Sequence, residues 1–533
     1  MDCISPPLNQ TETRKPNCFK KPRNSSLSVL IAGLIMRSRT ATPFAKCVVM
    51  ELIAYCQESA EVCRRQYEVE QSLWKRILEI GKQGMDLYLG SLGDGDLGEM
   101  VTTADGQSLF RSEESHIRPL RTVFGEHEIT AYVYAPGPKQ KIEFRPIDAR
   151  IKLPEGVASY FYEEVSQLFC VEQAFGTGSR QLEKLLGQKA SVDSLERINR
   201  RLGEQADLFM NDLPVPPASE EGELLVMTGD GKGVPLIKED AEKIPVFDKR
   251  ERPGNRRMAT LGGVYSVDRH VRTPEDILNA LFREEPETPK PKRPQPQFKE
   301  LVGKFSQTME DGDEALTVTG TMASFTWAAE RVKERHRPNQ PVPILMDGQP
   351  SLWETAAFCL EQVSVQNTVE ILDIIHVAGY VWRAAKVFES SREHQEAFAW
   401  TRLKRILEGD VAGVIFGLRQ MAGKRKLKGP ARQEIEDVCR YFENNRERMR
   451  YDEYLKAGYP IATGVIEGAC RHLVKDRMER SGMRWALEGA EAMLNVRCVF
   501  ASAYWESFHE QRMRTEQNRI HPHAKLARST TTT

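Results

Sequence analysis

Two segments of strand character each run into an acid followed by glycine. Leu224-Leu225-Val226-Met227 leads to Asp230-Gly231-Lys232-Gly233, and Pro343-Ile344-Leu345-Met346 leads to Asp347-Gly348. Neighbouring strands lie about 4.8 Å apart, so two such strand ends in one sheet would bring their carboxylates within several ångströms. Glycine after the acid removes a side chain where a ligand must approach closely. Two carboxylates at that spacing repel unless a cation lies between them, and Mg²⁺ is the usual partner of bare carboxylate oxygen. The plain alternative, for either acid alone, is a turn residue. A third acid comes late, after Pro460 and Gly464 break the chain: Glu467, with Arg471 and Lys475 at i+4 and i+8, shares one helical face, while Ile466, Leu473 and Val474 point inward. That stripe is either a surface salt-bridge ladder or one metal ligand with two cations for the phosphates of a phosphodiester.

The elements that must position these acids are legible in outline. The chain has 533 residues and 75 Lys+Arg against 76 Asp+Glu, a net charge of −1, which excludes a protein that holds polyanions by bulk charge. Its ten cysteines form no C-x-x-C pair, which argues against a zinc ribbon, a thioredoxin-like site or a disulfide framework and suits a reducing cytosol. Lys20, Lys21 and Arg23 before the apolar run 27–36 imitate a secretory signal. The run is about half of the ~20 residues a membrane span needs, so it reads as a short buried helix or as an extension from an upstream start codon. Helical spacing then covers 44–92, and two strand-like runs, 128–134 and 142–146, flank Pro136-Gly137-Pro138 as an expected β-hairpin.

Within 156–209, Ser179 is placed to cap a helix ending at Gly187, and Ser191 to start a second one containing Leu195, Ile198 and Leu202. This is helix–turn–helix spacing, with Lys189, Ser194, Arg197 and Arg201 available for base edges and phosphates; the bland reading is a helical hairpin inside a bundle. Prolines at 214, 216 and 217 mark a boundary, after which strands alternate with helices, and five prolines between 286 and 296 mark an extended excursion. Beyond 377 the pattern is helical. The expected fold class is α/β. The expected segments are a disordered extension at 1–43, a helical region at 44–110, a hairpin segment at 111–155 and a helix–turn–helix region at 156–210. A catalytic domain follows at 222–376, with its excursion at 284–300, then a helical insertion at 377–457, the second catalytic part at 458–515 and a flexible tail at 516–533.

The block Gly458-Tyr459-Pro460-Ile461-Ala462-Thr463-Gly464-Val465-Ile466-Glu467-Gly468-Ala469-Cys470-Arg471-His472-Leu473-Val474-Lys475-Asp476-Arg477, ending in Ser481-Gly482-Met483-Arg484-Trp485, strongly resembles bacterial insertion-sequence transposases of the ISKra group. These are DDE transposases related in layout to the Mutator-like families. Asp230-Gly231-Lys232-Gly233-Val234-Pro235, Met346-Asp347-Gly348 and Leu372-Asp373-Ile374-Ile375-His376-Val377 match further blocks in the same order, and the resemblance spans about residues 100–515. It implies an RNase H-like catalytic domain with a helical insertion. It also implies two divalent metal ions, Mg²⁺ with Mn²⁺ able to substitute, and cutting and joining of DNA at transposon ends. Asp230, Asp347 and Glu467 would be the catalytic acids and metal ligands. Asp373 and His376 match a D-x-x-H element, Trp485 matches a tryptophan after the catalytic glutamate, and Arg471, Lys475 and Arg484 would contact DNA. Some relatives carry a cysteine-rich zinc element; no cysteine lies between 64 and 169 here, so no zinc is expected.

The implied partners are double-stranded DNA, both terminal inverted repeats and target, and further copies of the chain in a synaptic complex. Neither a membrane nor a small-molecule cofactor is expected, and the expected location is the bacterial nucleoid in the cytoplasm. Other readings compete at particular residues. Asp268 reads as a turn or salt-bridge residue, His376 alone as a core histidine and Trp485 as core. The runs 424–428 and Lys249, Arg250, Arg252, Arg256 and Arg257 read as solvated loops or as backbone contacts to DNA. A metal-dependent phosphatase would want D-x-D where Met346-Asp347-Gly348 stands. A transcriptional regulator using 179–202 would leave the three acids without a role.

Overall fold

The helical spacing at the start of the chain becomes two helices, α1 (Pro43–Glu61) and α2 (Gln66–Gly90), in a computed structural model that describes residues 43–244, 254–284, 292–311, 314–480 and 482–528. The extension up to 42, Lys249, Arg250, Arg252, Ser481 and residues 285–291 of the proline-rich excursion lie outside these. The chain forms two compact units, 1–151 with 523–533 and 152–522.

In the first unit, short strands follow: β1 (Met100–Thr102), β2 (Ser108–Arg111), β3 (His116–Thr122), β4 (Gly125–Ala131) and β5 (Tyr134–Ala135), then α3 (Pro146–Ile151). The hairpin is β3–β4, one element earlier than the proline-glycine pattern suggested. Its alternating burial fixes which face packs. Buried His127 shares hydrogen bonds with Asp86 of α2 (2.6 Å) and Thr122 of β3 (2.9 Å). Pro136-Gly137-Pro138 instead closes a loop bridged by Tyr134 and Phe144. Residues 516–528, expected as a tail, are ordered by packing. Glu516 is buried in a helix, and Ala527, fully buried, accepts a hydrogen bond from Arg150 Nε (3.3 Å).

The second unit is mixed α/β. It begins with α4 (Tyr160–Glu172), α5 (Phe175–Leu186) and α6 (Val192–Asn211). The long apolar strand β6 (Leu224–Pro235) then leads past the short α7 (Lys238–Ala241) into β7 (Arg256–Val267). Helix α8 (Pro274–Phe282) starts at Thr273, with the reciprocal capping that Thr-Pro-Glu-Asp predicts. Strand β8 (Gln297–Phe305), the hairpin β9 (Gln307–Asp311) and β10 (Glu314–Val318), and α9 (Gly320–Arg335) follow. Then come β11 (Val342–Met346), α10 (Pro350–Gln362) and β12 (Thr368–Leu372). The sheet order is β12-β11-β6-β7-β8: β6, β7 and β8 form an antiparallel meander, and β11 and β12 run parallel to β6.

Helix α9 is bolted across the sheet. Phe325 lies where a Cβ on Gly229 would be (2.2 Å), so only glycine fits there. Glu300 on β8, fully buried, pairs with Arg331 (2.8 Å) and Arg335 (2.9 Å) of α9, and Arg335 also holds Glu221 (2.6 Å). Arg331 also caps the carbonyl of Leu213 (3.0 Å), so the proline loop 211–221, expected as a domain boundary, is pinned inside one unit.

Past β12 the chain is helical: α11 (Ile374–Phe388), α12 (Arg392–Leu407), α13 (Val411–Lys424), α14 (Gly429–Asn444) and α15 (Tyr451–Ala457). It returns through α16 (Gly464–Ala469), a π-helical segment Cys470–Lys475, and α17 (Asp476–Met478), then α18 (Leu487–Ala501) and α19 (Trp505–Ile520). Among the described residues no helix is long and apolar enough to cross a membrane.

Candidate active site at the carboxyl edge of three parallel strands

Register places the acids. Met346 at the end of β11 pairs with Gly229 of β6 and with Leu372 of β12. The next residue along each strand is therefore an acid: Asp230, Asp347 and Asp373 stand in a row across three adjacent parallel strands. Strand β6 does not end at Asp230 as expected but continues to Pro235, paired with β7, which sets Asp230 in a partly buried position on a continuous strand.

The row is not uniform. Burial raises the Asp230 carboxyl above the ordinary value, with the nearby Asp347 adding to the effect; hydrogen bonds from the Cys470 thiol and the Gly231 N–H (2.7 Å) partly offset it. Asp347 is more open, and its Oδ1 accepts from Gln349 N (3.0 Å). Asp373 is fully buried, and both its oxygens are committed, one to Ile375 N (2.8 Å) at the start of α11 and one to the Thr463 hydroxyl. Burial raises its carboxyl too, with Thr463 offsetting.

The Asp373–Thr463 bond, with Ile374 N donating to Ile461 O (2.9 Å), ties the end of β12 to the turn that launches α16. Glu467 is exposed on α16, and its charge acts on Asp373 and Cys470, while Cys470 acts on Asp230. The fourth acid is thus close enough for its charge to be felt at Asp373. Arg471 and Lys475 are exposed, Arg471 with Asp476 at 3.6 Å, and the π segment between them departs from the α-helical spacing that the shared face was read from. Among the described residues, no three His, Cys, Asp or Glu side chains gather as metal ligands.

The three glycines beside the acids differ: a Cβ on Gly231 would lie 2.7 Å from the Met258 side chain. Gly468 has open space where a side chain would stand. Gly348, expected to clear a path for a ligand, instead makes room for Tyr441 of α14, whose ring lies 2.4 Å from its would-be Cβ. Tyr441 is stacked on Tyr380 of α11 at 3.7 Å. These rings form one wall of a cleft of about 1010 Å³ that Asp347 and exposed His376 share with Arg383, Arg440 and Arg448. Thr463, Cys470 and the α14 wall were missed by sequence reasoning. The first two lie four residues before and three after Glu467 and so were within reach of its helical spacing; nothing local marks α14.

Other expected contacts are relocated. Trp485 is buried: its Nε1 donates to Met478 O (3.1 Å), its ring packs on Phe175, and its backbone bridges the end of β6. This is the core placement given above as its competing reading, and a ring buried in this way offers no face on which a base could stack. Arg484 is exposed. In the helix pair, Ser191 caps α6 as expected (3.1 Å from Ser194 N), but Ser179 caps nothing; it sits inside α5 and donates to Ala190 O (2.6 Å). Lys189 and Arg197 are exposed, Arg197 near Asp193 (3.3 Å), and the Ser194 hydroxyl is engaged by the cap. Arg201 is turned inward onto buried Glu163, which also takes Arg512 (2.7 Å), so it is a structural cation rather than a free contact. The far half of α6 is buried against α18: a Cβ on Gly203 would lie 2.5 Å from that of Ala492.

No family model and no curated protein matches the sequence. Solved structures that match include the Drosophila P element transposase strand transfer complex, at 10% identity and a TM-score of 0.21, covering 74% of this chain and 94% of that one. A likeness at that level fixes neither the fold nor the function.

Proposed function

We propose that this chain is the DNA transposase of an insertion sequence, binding terminal repeats and catalysing strand cleavage and strand transfer with Asp230, Asp347 and Glu467. The observation that carries the proposal is the register: a single alignment across β6, β11 and β12 puts an acid at the same level of each strand, and Thr463, four residues before Glu467, is bonded to the acid of β12. The sheet order, an antiparallel meander extended by two parallel strands from its first strand, supports an RNase H-like reading, and the helices from 374 to 457 support an insertion.

In chemistry, though not gathered round one point, the donors suit a hard divalent ion: Asp230, Asp347 and Glu467 carry carboxylate oxygens, and the Cys470 thiol is turned onto Asp230. When bound, two such ions supply an activated water and a neutralised leaving oxygen. Asp373 acts through Thr463: it holds the turn that sets Glu467 and contributes no free oxygen. Arg471 and Lys475, exposed on the segment that follows Glu467, are the cations for flanking phosphates.

The test is Mg²⁺-dependent nicking and joining of terminal-repeat DNA, with gel shift as the control for binding. Asp230→Asn and Glu467→Gln are expected to lose cleavage by several orders of magnitude while still shifting the DNA, because residues that act as a unit fail together. Activity above about a tenth of the parent in either variant removes that residue from the triad.

A further inference from the structure

Away from the acid row, three aromatic side chains on three helices converge without burying one another. Phe282 at the end of α8, Trp382 on α11 and Trp400 on α12 line a pocket of about 780 Å³. Phe282 lies 5.9 Å from Trp382 and 5.0 Å from Trp400, ring centre to ring centre, and all three are only partly buried. Trp382 is six residues along α11 from His376, about 9 Å of helix rise, and lines a different cavity from the His376 cleft.

The rim is charged. Arg392 lies over the Trp382 ring at 4.6 Å and is neutralised by Glu396 (2.6 Å). Arg283 and Lys386 also line the pocket, and neither has a carboxylate partner among the described residues, although Glu284 stands at the same rim. A cavity of this size holds a small molecule. Partly exposed indoles offer π-faces that any base can stack on, and free cations match a phosphate. A simple anion would leave the rings unused, and an apolar side chain would leave the cations unused; a base joined to a phosphate uses both.

We propose that this pocket binds one unpaired nucleotide of a nucleic-acid strand, its base against Trp382 and Trp400 and its phosphate at Lys386 and Arg283. The site is separate from the acid row and stands or falls independently of strand cleavage.

The experiment measures fluorescence anisotropy of labelled octathymidylate and of a blunt hairpin duplex with the full chain. Trp382→Ala combined with Trp400→Ala is expected to weaken single-strand binding at least tenfold and leave duplex binding within twofold. Lys386→Glu, at an exposed position, is expected to weaken it in the same sense. Excess thymidine monophosphate distinguishes a free nucleotide from a strand as the ligand: competition by the monophosphate alone assigns the pocket to the free nucleotide and overturns the strand. Should the double variant fail to fold, photocrosslinking of an iodouracil-containing octamer to the unmutated chain decides, with adducts expected on the α11 or α12 tryptophan peptides. Equal loss on both DNAs, unchanged single-strand affinity in folded variants, or crosslinks confined elsewhere would each overturn the proposal.

Discussion

Gly348→Ala isolates the role of a single hydrogen beside the acid row. The glycine has no positive φ, so alanine meets no backbone penalty; the whole effect must come from Tyr441. An added Cβ would stand 2.4 Å from the ring, where carbon atoms normally rest at about 3.5–4.0 Å. The ring must therefore move by about 1 Å. Its stacking on Tyr380 at 3.7 Å blocks one direction. Forcing a methyl into such a contact costs about 1–3 kcal/mol, and the stiffer unfolded chain returns about 0.4–1 kcal/mol. The net expectation is a loss of about 1–2 kcal/mol in a urea titration, with unchanged m. In a Tyr441→Ala background the clash is absent and only the unfolded-state gain remains, so the same substitution should be neutral or stabilising. That reversal of sign is the test. An equal cost in both backgrounds, or no cost in the first, refutes the steric argument and restores the idea that Gly348 serves a ligand.

Glu300→Gln should cost up to about 3–5 kcal/mol, since it removes the buried carboxylate that Arg331 and Arg335 share and leaves each with one acid, Glu334 and Glu221; a loss under about 1 kcal/mol in denaturant unfolding contradicts the pairing. Trp485→Ala should destabilise by about 3–5 kcal/mol and impair intact and mismatched DNA substrates alike, whereas a normally folded variant defective only on intact duplex returns the ring to base stacking. Burial holds the Asp230 carboxyl above the ordinary carboxylate value. Its contribution to stability is then full below the unfolded pKa, about 3.9, and is lost as pH rises through the raised folded value. Asp230→Asn should accordingly stabilise the chain at neutral pH more than at pH 3, and a pH-independent difference in urea midpoint would falsify this. Arg201→Ala should lower stability through Glu163, while Arg197→Ala should reduce only the salt dependence of DNA binding, by a slope of about 1; a shift in end preference from Arg201→Ala without loss of stability contradicts the assignment.

The parts of the fold that read well from sequence are those governed by local chemistry. The Thr273 capping box, the Ser191 cap and the apolar strands needed no knowledge of what they touch. The parts that read poorly depend on neighbours far away in the chain. Arg197 and Arg201 are indistinguishable by spacing, yet one is exposed and the other is drawn inward by Glu163, a residue on another helix. Gly348 reads as a gap for a ligand until Tyr441 arrives from α14. Pro-Gly-Pro marks a turn correctly but not which strands it joins. The acid row shows both sides of this. Each Asp is visible at the end of an apolar run, but that Asp373 lies level with the other two, and is fully hydrogen-bonded, follows from strand register and from Thr463.

The π segment Cys470–Lys475 makes the length of this helix, more than its composition, the sensitive quantity. Upstream of it, the turn before Glu467 is tied through Thr463 to Asp373 at the strand end; downstream, buried Arg477 is held between Phe175 and Trp485, each 5.0 Å away. A π turn accommodates one residue more than an α turn, so the two anchored ends are out of phase by that one residue. Deleting any single residue within it would restore an uninterrupted α-helix and rotate one end by about 100° relative to the other. Either Glu467 would turn to another side of the helix or the arginine would leave its aromatic slot. Side-chain substitutions in the segment spare that phase, so a reading frame that lost one codon there would encode a protein with all four acids in a different mutual arrangement.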